Sequence, residues 1–207
     1  ALYPDGLTVF GRRAFAAWFV ATYRATGAWT YSSQWPVDLP PARQLRMAYQ
    51  AREQWQRRWP NALDRVDHAV ALIDWLRSVD ARQAEEVRDW LASIDKQQVA
   101  AELVIAGVNV IGHFAYPSGL RVSVEAMVEA LRSNGIQTSL RDLRTDKRDD
   151  PTHALFKDFE DYDTTIIHAQ PEPFFDVAYS RSDLYERRPR TYRVGYWYWE
   201  FDSIPDS

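Results

Sequence analysis

The chain of 207 residues contains no cysteine, which excludes disulfide cross-links, thiolate metal sites and cysteine nucleophiles. It also has no run of about 18 consecutive apolar residues, the length that a membrane-spanning helix needs. The dinucleotide fingerprint G-x-G-x-x-G and the phosphate loop G-x-x-x-x-G-K-[ST] are both absent, which argues against nicotinamide-dependent enzymes and P-loop nucleotidases. A net charge of −4 provides no basic field, so nucleic acid is not an expected partner.

The composition changes near residue 105, which predicts two domains, 1–104 and 105–207. The front portion holds seven of the nine tryptophans, and its apolar residues recur at helical spacing. Four helices are predicted. The first carries Phe15 to Tyr23; the second opens at Pro40 and Pro41, carries Leu45, Tyr49 and Arg52 and stops at Pro60; the third carries Leu72 to Val79; and the fourth carries Val87 to Ile94 behind a capping box of Asp80 and Gln83. We therefore expect a helical bundle with a tryptophan-rich core.

The second portion alternates short apolar runs with helical patterns. Strands are expected at 108–114, 136–143, 164–169 and 192–199, with a helix from Val122 to Leu131 that ends at Asn134 and Gly135, and a short helix over Leu155, Phe156 and Phe159. Strands that alternate with helices in this way favour a doubly wound parallel α/β sheet.

Ligands of an open parallel sheet bind at the carboxyl ends of its strands, so the residues there are the candidates. His113 follows the first strand, and the turn at Ser118 and Gly119 opens a helix whose amino terminus would favour an anion such as a phosphate. His168 ends the third strand, beside His113 if the two strands pair. The two histidines alone could suggest a metal site, but no third ligand is evident and no metal is expected.

The fourth strand ends in an aromatic segment, GYWYWEFD at 195–202. Strand alternation would place Tyr196 and Tyr198 on one face and Trp197 and Trp199 on the other. The rings would serve either as core packing or as a platform for the apolar face of a sugar. Glu200 would orient substrate hydroxyls or act as a base, with a helix cap or an ion pair as the structural alternative.

Three segments resemble bacterial glycosyltransferases of family 4 type. They are GVNVIGHF at 107–114 with Ser118, Gly119 and the following helix; DTTIIHAQ at 163–170; and RVGYWYWEFDSIP at 193–205, which is similar to the family segment xxGYWxWExxxxP. The last match is the most specific of the three. Together they cover about the last hundred residues, and the front portion matches only loosely.

The resemblance implies a Rossmann-like domain on the acceptor side of a GT-B enzyme that retains anomeric configuration and needs no metal or other cofactor. Glu200 would be catalytic, and His113, Ser118, Gly119, His168, Tyr196 and Trp199 would bind substrate. The family's donor-binding domain, with its paired glutamates, is expected beyond Ser207. The loop at 115–121 has less glycine than is usual in the family.

The partners implied are a nucleotide-sugar, a glycan or lipid-linked acceptor, and the second domain of the same protein. Polysaccharide assembly in the cytoplasm, at times on the inner face of the membrane, is the usual setting of such enzymes. A non-catalytic carbohydrate- or protein-binding module is the alternative, since it would tolerate loss of Glu200. Residues 29–35, with two tryptophans, are predicted to form an interaction loop.

Overall fold

The computed structural model describes residues 3–27, 39–145, 155–156, 158–171, 174–182, 184 and 191–198. The chain divides into two compact units, Ala1–Ile105 and Ala106–Ser207. Trp199, Glu200 and the interaction loop predicted at 29–35 lie outside the described residues.

The first unit consists of helices. They are α1 (Arg12–Thr26), α2 (Pro41–Gln50), α3 (Glu53–Arg58), α4 (Val66–Arg77), α5 (Glu85–Ser93) and α6 (Lys96–Leu103). Helix α4 lies at the centre of the hydrophobic core, where Leu72, Ile73 and Leu76 are fully buried. Trp55 is buried beside them and meets Trp75 edge to face, with ring centroids 6.2 Å apart.

The aromatic stripe of α1 forms a helix as predicted but does not enter this core. No residue of α1 is buried, and Tyr3 packs its ring against Phe15 and Trp18. The stripe is therefore a partly exposed aromatic surface. Its spacing correctly predicted the helix, because spacing reports only that one face is apolar.

Two local predictions in this unit were wrong. Asp80 lies in a 3-10 turn (Val79–Ala81), and α5 begins five residues later, after Ala84, without a side-chain cap. The predicted second helix is also interrupted at Arg52, which has extended backbone geometry and places its guanidinium on the Asp5 carboxylate. An additional helix, α6, is capped by Asp95, whose carboxylate accepts from the amides of Gln97 and Gln98.

The second unit contains a four-stranded parallel sheet, which confirms the parallel α/β prediction. Its strands are β1 (Gly107–Gly112), β2 (Gln137–Asp142), β3 (Thr164–His168) and β4 (Tyr192–Tyr196), in the order β2-β1-β3-β4, and its helices are α7 (Gly119–Ser133) and α8 (Phe174–Arg181). Helix α7 ends as predicted: Asn134 is its cap and Gly135 adopts a φ of 75°.

Helices α7 and α8 pack against opposite faces of the sheet. Val110 belongs to a buried cluster with Val124 and Val128 of α7, whereas Ile111 belongs to one with Ala178 and Tyr179 of α8. Consecutive residues of a strand point to opposite faces, so a helix covers each side.

Two predictions about the ends of elements differ from the structure. The last strand ends at Tyr196 rather than Trp199. Of the short helix predicted over Leu155, Phe156 and Phe159, Leu155 has 3-10 conformation, whereas Phe156 and Phe159 lie in irregular backbone. The half-buried Phe156 ring stacks on Phe114 with centroids 4.8 Å apart.

Candidate functional site

The last register position of the sheet brings four residues into one row. Asp142, Gly112, His168 and Tyr196 end strands β2, β1, β3 and β4 and are paired across the sheet in that order. Residues paired in register point to the same face of a parallel sheet. The row therefore lies on the face that α7 covers, at the carboxyl edge.

Gly112 determines how closely α7 approaches this row. A Cβ atom built on Gly112 would lie 2.8 Å from Cγ2 of Val124, a residue of α7 that is fully buried. The absent side chain thus allows the first turns of α7 to sit directly on β1. This close packing brings Ser123, the neighbour of Val124, to the edge of the row.

Ser123 joins two of the site's side chains by hydrogen bonds. Its Oγ lies 2.9 Å from Nε2 of His168 and 2.6 Å from the hydroxyl of Tyr198. His168 is fully buried, and its Nδ1 has no hydrogen-bond partner among the described residues. Ser123 is half-buried and Tyr198 is 54% exposed, so the chain of bonds runs from the interior to the surface.

The aromatic rings form a corner over His168. Tyr196 stacks on the imidazole with ring centroids 5.1 Å apart, and Tyr198 stands nearly perpendicular to Tyr196 at 5.9 Å and 85°. Tyr196 remains 43% exposed. Two perpendicular rings with accessible surface and a hydroxyl at the edge suit a ligand that has both an apolar face and polar groups.

Burial lowers the pKa of both histidines at this edge. The pKa of His168 falls below the ordinary 6.5 because of burial, and the charge of nearby His113 lowers it further. A hydrogen bond to the backbone of His168 itself acts in the opposite direction. Burial also lowers the pKa of His113, against a backbone hydrogen bond with Leu143 and the charge of Asp142; Arg181 adds to the lowering. Neutral imidazoles can accept protons at pH 7.

Hydrogen bonds also shift the pKa values of Tyr196 and Tyr198. The hydrogen bond with Ser123 lowers the pKa of Tyr198, and the hydrogen bond with Tyr196 acts in the same direction. The bond to Tyr198 and the repulsion of its charged form raise the pKa of Tyr196. Of the two hydroxyls, that of Tyr198 is therefore the more acidic.

Asp142 binds two backbone amides of the loop that precedes the anion site predicted at Ser118 and Gly119. Its carboxylate accepts hydrogen bonds from the amides of Phe114 and Ala115, at 2.8 and 2.9 Å, and the residue is 2% exposed. Ser118 caps α7 by accepting a hydrogen bond from the amide of Arg121 at 3.3 Å. The loop donors at Phe114 and Ala115 are thus already satisfied within the fold.

The candidate residues from the sequence are only partly assembled here. His168 and Tyr196 are in contact, and His113 lies near enough to lower the pKa of His168. Ser118 and Gly119 begin α7, and a Cβ atom built on Gly119 would meet no atom within 4 Å. Catalytic Glu200 and substrate-binding Trp199 stay predictions. Among the described residues, no group of three or more histidine, cysteine, aspartate or glutamate side chains could hold a metal ion.

Sequence reasoning missed Ser123 and Asp142. Asp142 was detectable in principle, because it ends a predicted strand at the edge where ligands bind. Ser123 had no such signal, since a serine within an amphipathic helix is ordinary.

Searches of family models, of curated proteins and of solved structures each found no match to this chain. No helix in the described ranges is long and apolar enough to cross a membrane.

Proposed function

We propose that the second unit is the Rossmann-like acceptor-side domain of a retaining GT-B glycosyltransferase. The enzyme transfers a sugar from a nucleotide-sugar to a glycan or lipid-linked acceptor. The observation that carries this proposal is the corner of Tyr196 and Tyr198 over buried, neutral His168 at the carboxyl edge of the sheet.

The strand order supports a ligand site at this place. In the order β2-β1-β3-β4 the chain reverses its winding direction between β1 and β3, and crevices in doubly wound sheets form at that switch point. His113 and His168 follow and end those two strands. The same strand order serves many functions, so it supports a binding site but does not select a substrate.

The side chains favour a carbohydrate over a flat or purely apolar ligand. An exposed tyrosine face packs on the C–H groups of a pyranose, while a perpendicular tyrosine hydroxyl and a serine hydroxyl can exchange hydrogen bonds with its hydroxyls. Ser123 and Tyr198 place such groups 2.6 Å apart at the edge of the corner. The resemblance of 193–205 to the family segment supports the same choice.

The remainder of the proposal concerns residues and domains around this corner. Glu200 and Trp199 follow Tyr198 directly in the chain and would complete the acceptor crevice. A second domain binds the nucleotide-sugar, and neither a metal nor a cofactor is required. The first unit is an accessory helical bundle, and the enzyme acts in polysaccharide assembly in the cytoplasm, at the inner face of the membrane where the acceptor is lipid-linked.

One observation favours the alternative of a non-catalytic carbohydrate-binding module. The amides of Phe114 and Ala115 are bonded to Asp142, and the hydroxyl of Ser118 caps its own helix. These groups are then not free for a donor diphosphate. Glycan binding without nucleotide binding is expected of such a module and also of an isolated acceptor domain.

Saturation-transfer NMR tests the carbohydrate site. We expect short glycans to bind the chain and a Tyr196→Ala variant to lose that binding by about tenfold, since one aromatic contact contributes roughly 0.5–1.5 kcal/mol beyond its buried area. Tyr192→Ala is the matched control, because Tyr192 is 71% exposed on the same face at the other end of β4. Equal glycan binding by the two variants would sink the proposal.

A further inference from the structure

Ser123 is a polar side chain that joins the buried and exposed halves of the site. It lies on α7, held against β1 by the close contact at Gly112, and it reaches His168 on β3 and Tyr198 beyond β4. A hydroxyl can donate one hydrogen bond and accept others. Ser123 can therefore pass a proton between the two groups that it contacts.

The charge of His168 sets the direction of these bonds. With a neutral ring protonated at Nδ1, Nε2 accepts from Ser123, and Ser123 accepts from Tyr198. With the charged ring, Nε2 donates to Ser123, and Ser123 donates to Tyr198. The Tyr198 hydroxyl, which also bonds to Tyr196, consequently presents a lone pair toward the crevice in the first state and a proton in the second.

We propose that Tyr198, Ser123 and His168 form a proton relay that removes the proton from an alcohol bound in the crevice. This inference rests on the proposed function for the identity of the alcohol, a sugar hydroxyl. It assigns the buried imidazole as the final base and the exposed tyrosine as the group that touches the substrate.

The step balances without a further reactant. The alcohol O–H bond breaks and its proton joins the Tyr198 oxygen; the Tyr198 proton passes to Ser123 Oγ, and the Ser123 proton passes to Nε2 of His168. The alcohol oxygen bonds to the anomeric carbon of the nucleotide-sugar, and the anomeric C–O bond breaks with its electron pair leaving on the diphosphate. The imidazolium then returns its proton to solvent along the same path.

The surroundings of His168 are compatible with this role. Burial and His113 keep its pKa below 6.5, so the ring starts neutral, and Tyr196 stacks on it without replacing Ser123 as the partner of Nε2. Asp142 ends the strand on the far side of β1, where its carboxylate is bonded to loop amides; its charge and that of Arg181 bear on His113. Tyr198 provides the link to the surface.

The first experiment reads the tautomer of His168 by nitrogen-15 NMR at pH 8, without any substrate. The relay requires Nε2 as the acceptor, so the chain and its Ser123→Thr variant should show the Nδ1–H form. A proton on Nε2 would overturn the relay, because the ring could not then accept the Ser123 proton.

The second experiment follows the carbon-13 signal of the Tyr198 ring next to its hydroxyl while pH falls. A step at the pH where His168 titrates is expected in the chain and in Ser123→Thr, and its disappearance in Ser123→Ala. The pKa of His168 should also fall in Ser123→Ala by about half a unit to one unit, because a charge-assisted bond is lost. A Tyr198 step that persists in Ser123→Ala would overturn the relay.

Two controls separate the relay from structural effects. Ser133→Ala removes an exposed hydroxyl from the same helix α7; this hydroxyl donates to the carbonyl of Glu129. The substitution should leave the Tyr198 step unchanged. The NMR signals need no sugar, so they test the relay alone. Loss of glycan binding by the unmodified chain would count against the proposed function.

Discussion

Adding one methyl group at Gly112 should destabilise the second unit and disturb its site. In Gly112→Ala the new Cβ would lie 2.8 Å from Val124 Cγ2 and 3.4 Å from the His168 carbonyl oxygen. Val124 is fully buried and β-branched, so its methyl group cannot move aside cheaply. Overpacking costs about 2 kcal/mol, and the loss of glycine's chain entropy offsets about 0.5 kcal/mol, leaving a net destabilisation of roughly 1.5 kcal/mol.

Urea unfolding measures this cost. With a slope of about 2 kcal/mol per molar urea, the midpoint should fall by roughly 0.7 M. Gly119→Ala is the matched control, since no atom lies within 4 Å of its built Cβ and alanine favours a helix start over glycine. Its midpoint should stay unchanged or rise slightly.

The double variant Gly112→Ala with Val124→Ala tests the mechanism. If the clash is the cause, removing the Val124 methyl groups should make the Gly112 substitution nearly neutral in that background, so the two costs will not add. Additive costs, or a Gly112→Ala midpoint equal to that of the unchanged chain, would refute the claim that this contact sets the position of α7.

Three other predictions concern a buried amide, acid stability and the catalytic assignment. Asn109→Ala should lower the free energy of unfolding by about 3 kcal/mol, measured by urea, because the amide nitrogen donates to the carbonyls of Tyr162 and Thr164 and the amide oxygen accepts from Tyr162. The pKa values of His113 and His168 are lower in the folded chain than in the unfolded chain, so as pH falls the unfolded chain binds protons at the higher pH. The contribution of these histidines to stability should therefore be constant above about pH 6.5 and fall below it. His168→Gln should reduce that fall, measured as the change in urea midpoint between about pH 7.5 and 5.5. In an enzyme that includes the donor domain, Glu200→Gln should lower turnover at least about a hundredfold, and unchanged turnover would remove Glu200 from the chemistry.

The alternation of strand and helix patterns was enough to predict the parallel sheet, although β2 contains only one apolar residue, Leu140. It also predicted that His113 and His168 would be neighbours if the first and third strands pair, and β1 and β3 do pair directly. It could not place strand ends: the run through Trp199 is apolar beyond β4, which ends at Tyr196 where pairing with β3 ends. Hydrophobicity reports burial rather than pairing.

The polar half of the site was beyond single-sequence reasoning for a different reason. Ser123 and His168 are 45 residues apart, and Ser123 and Tyr198 are 75 apart. Their meeting depends on the depth at which α7 docks, which Gly112 sets through the absence of a side chain. Asp142 likewise satisfies amides 27 and 28 residues before it. A sequence without aligned relatives carries no signal for such pairs.

The polar groups on the two faces of the sheet have different hydrogen-bond partners. On the α8 face, Thr165 donates to buried Glu160 at 2.6 Å and Tyr179 donates to the same carboxylate; burial together with this bond raises the pKa of the Tyr179 hydroxyl. Those groups satisfy one another and stabilise the fold. On the α7 face, the hydrogen-bonded chain that starts at buried His168 ends at an exposed tyrosine hydroxyl, with Nδ1 unsatisfied within the described part of the chain. Because that chain of hydrogen bonds reaches the surface through Tyr198, we expect the proposed ligand to bind on the α7 face.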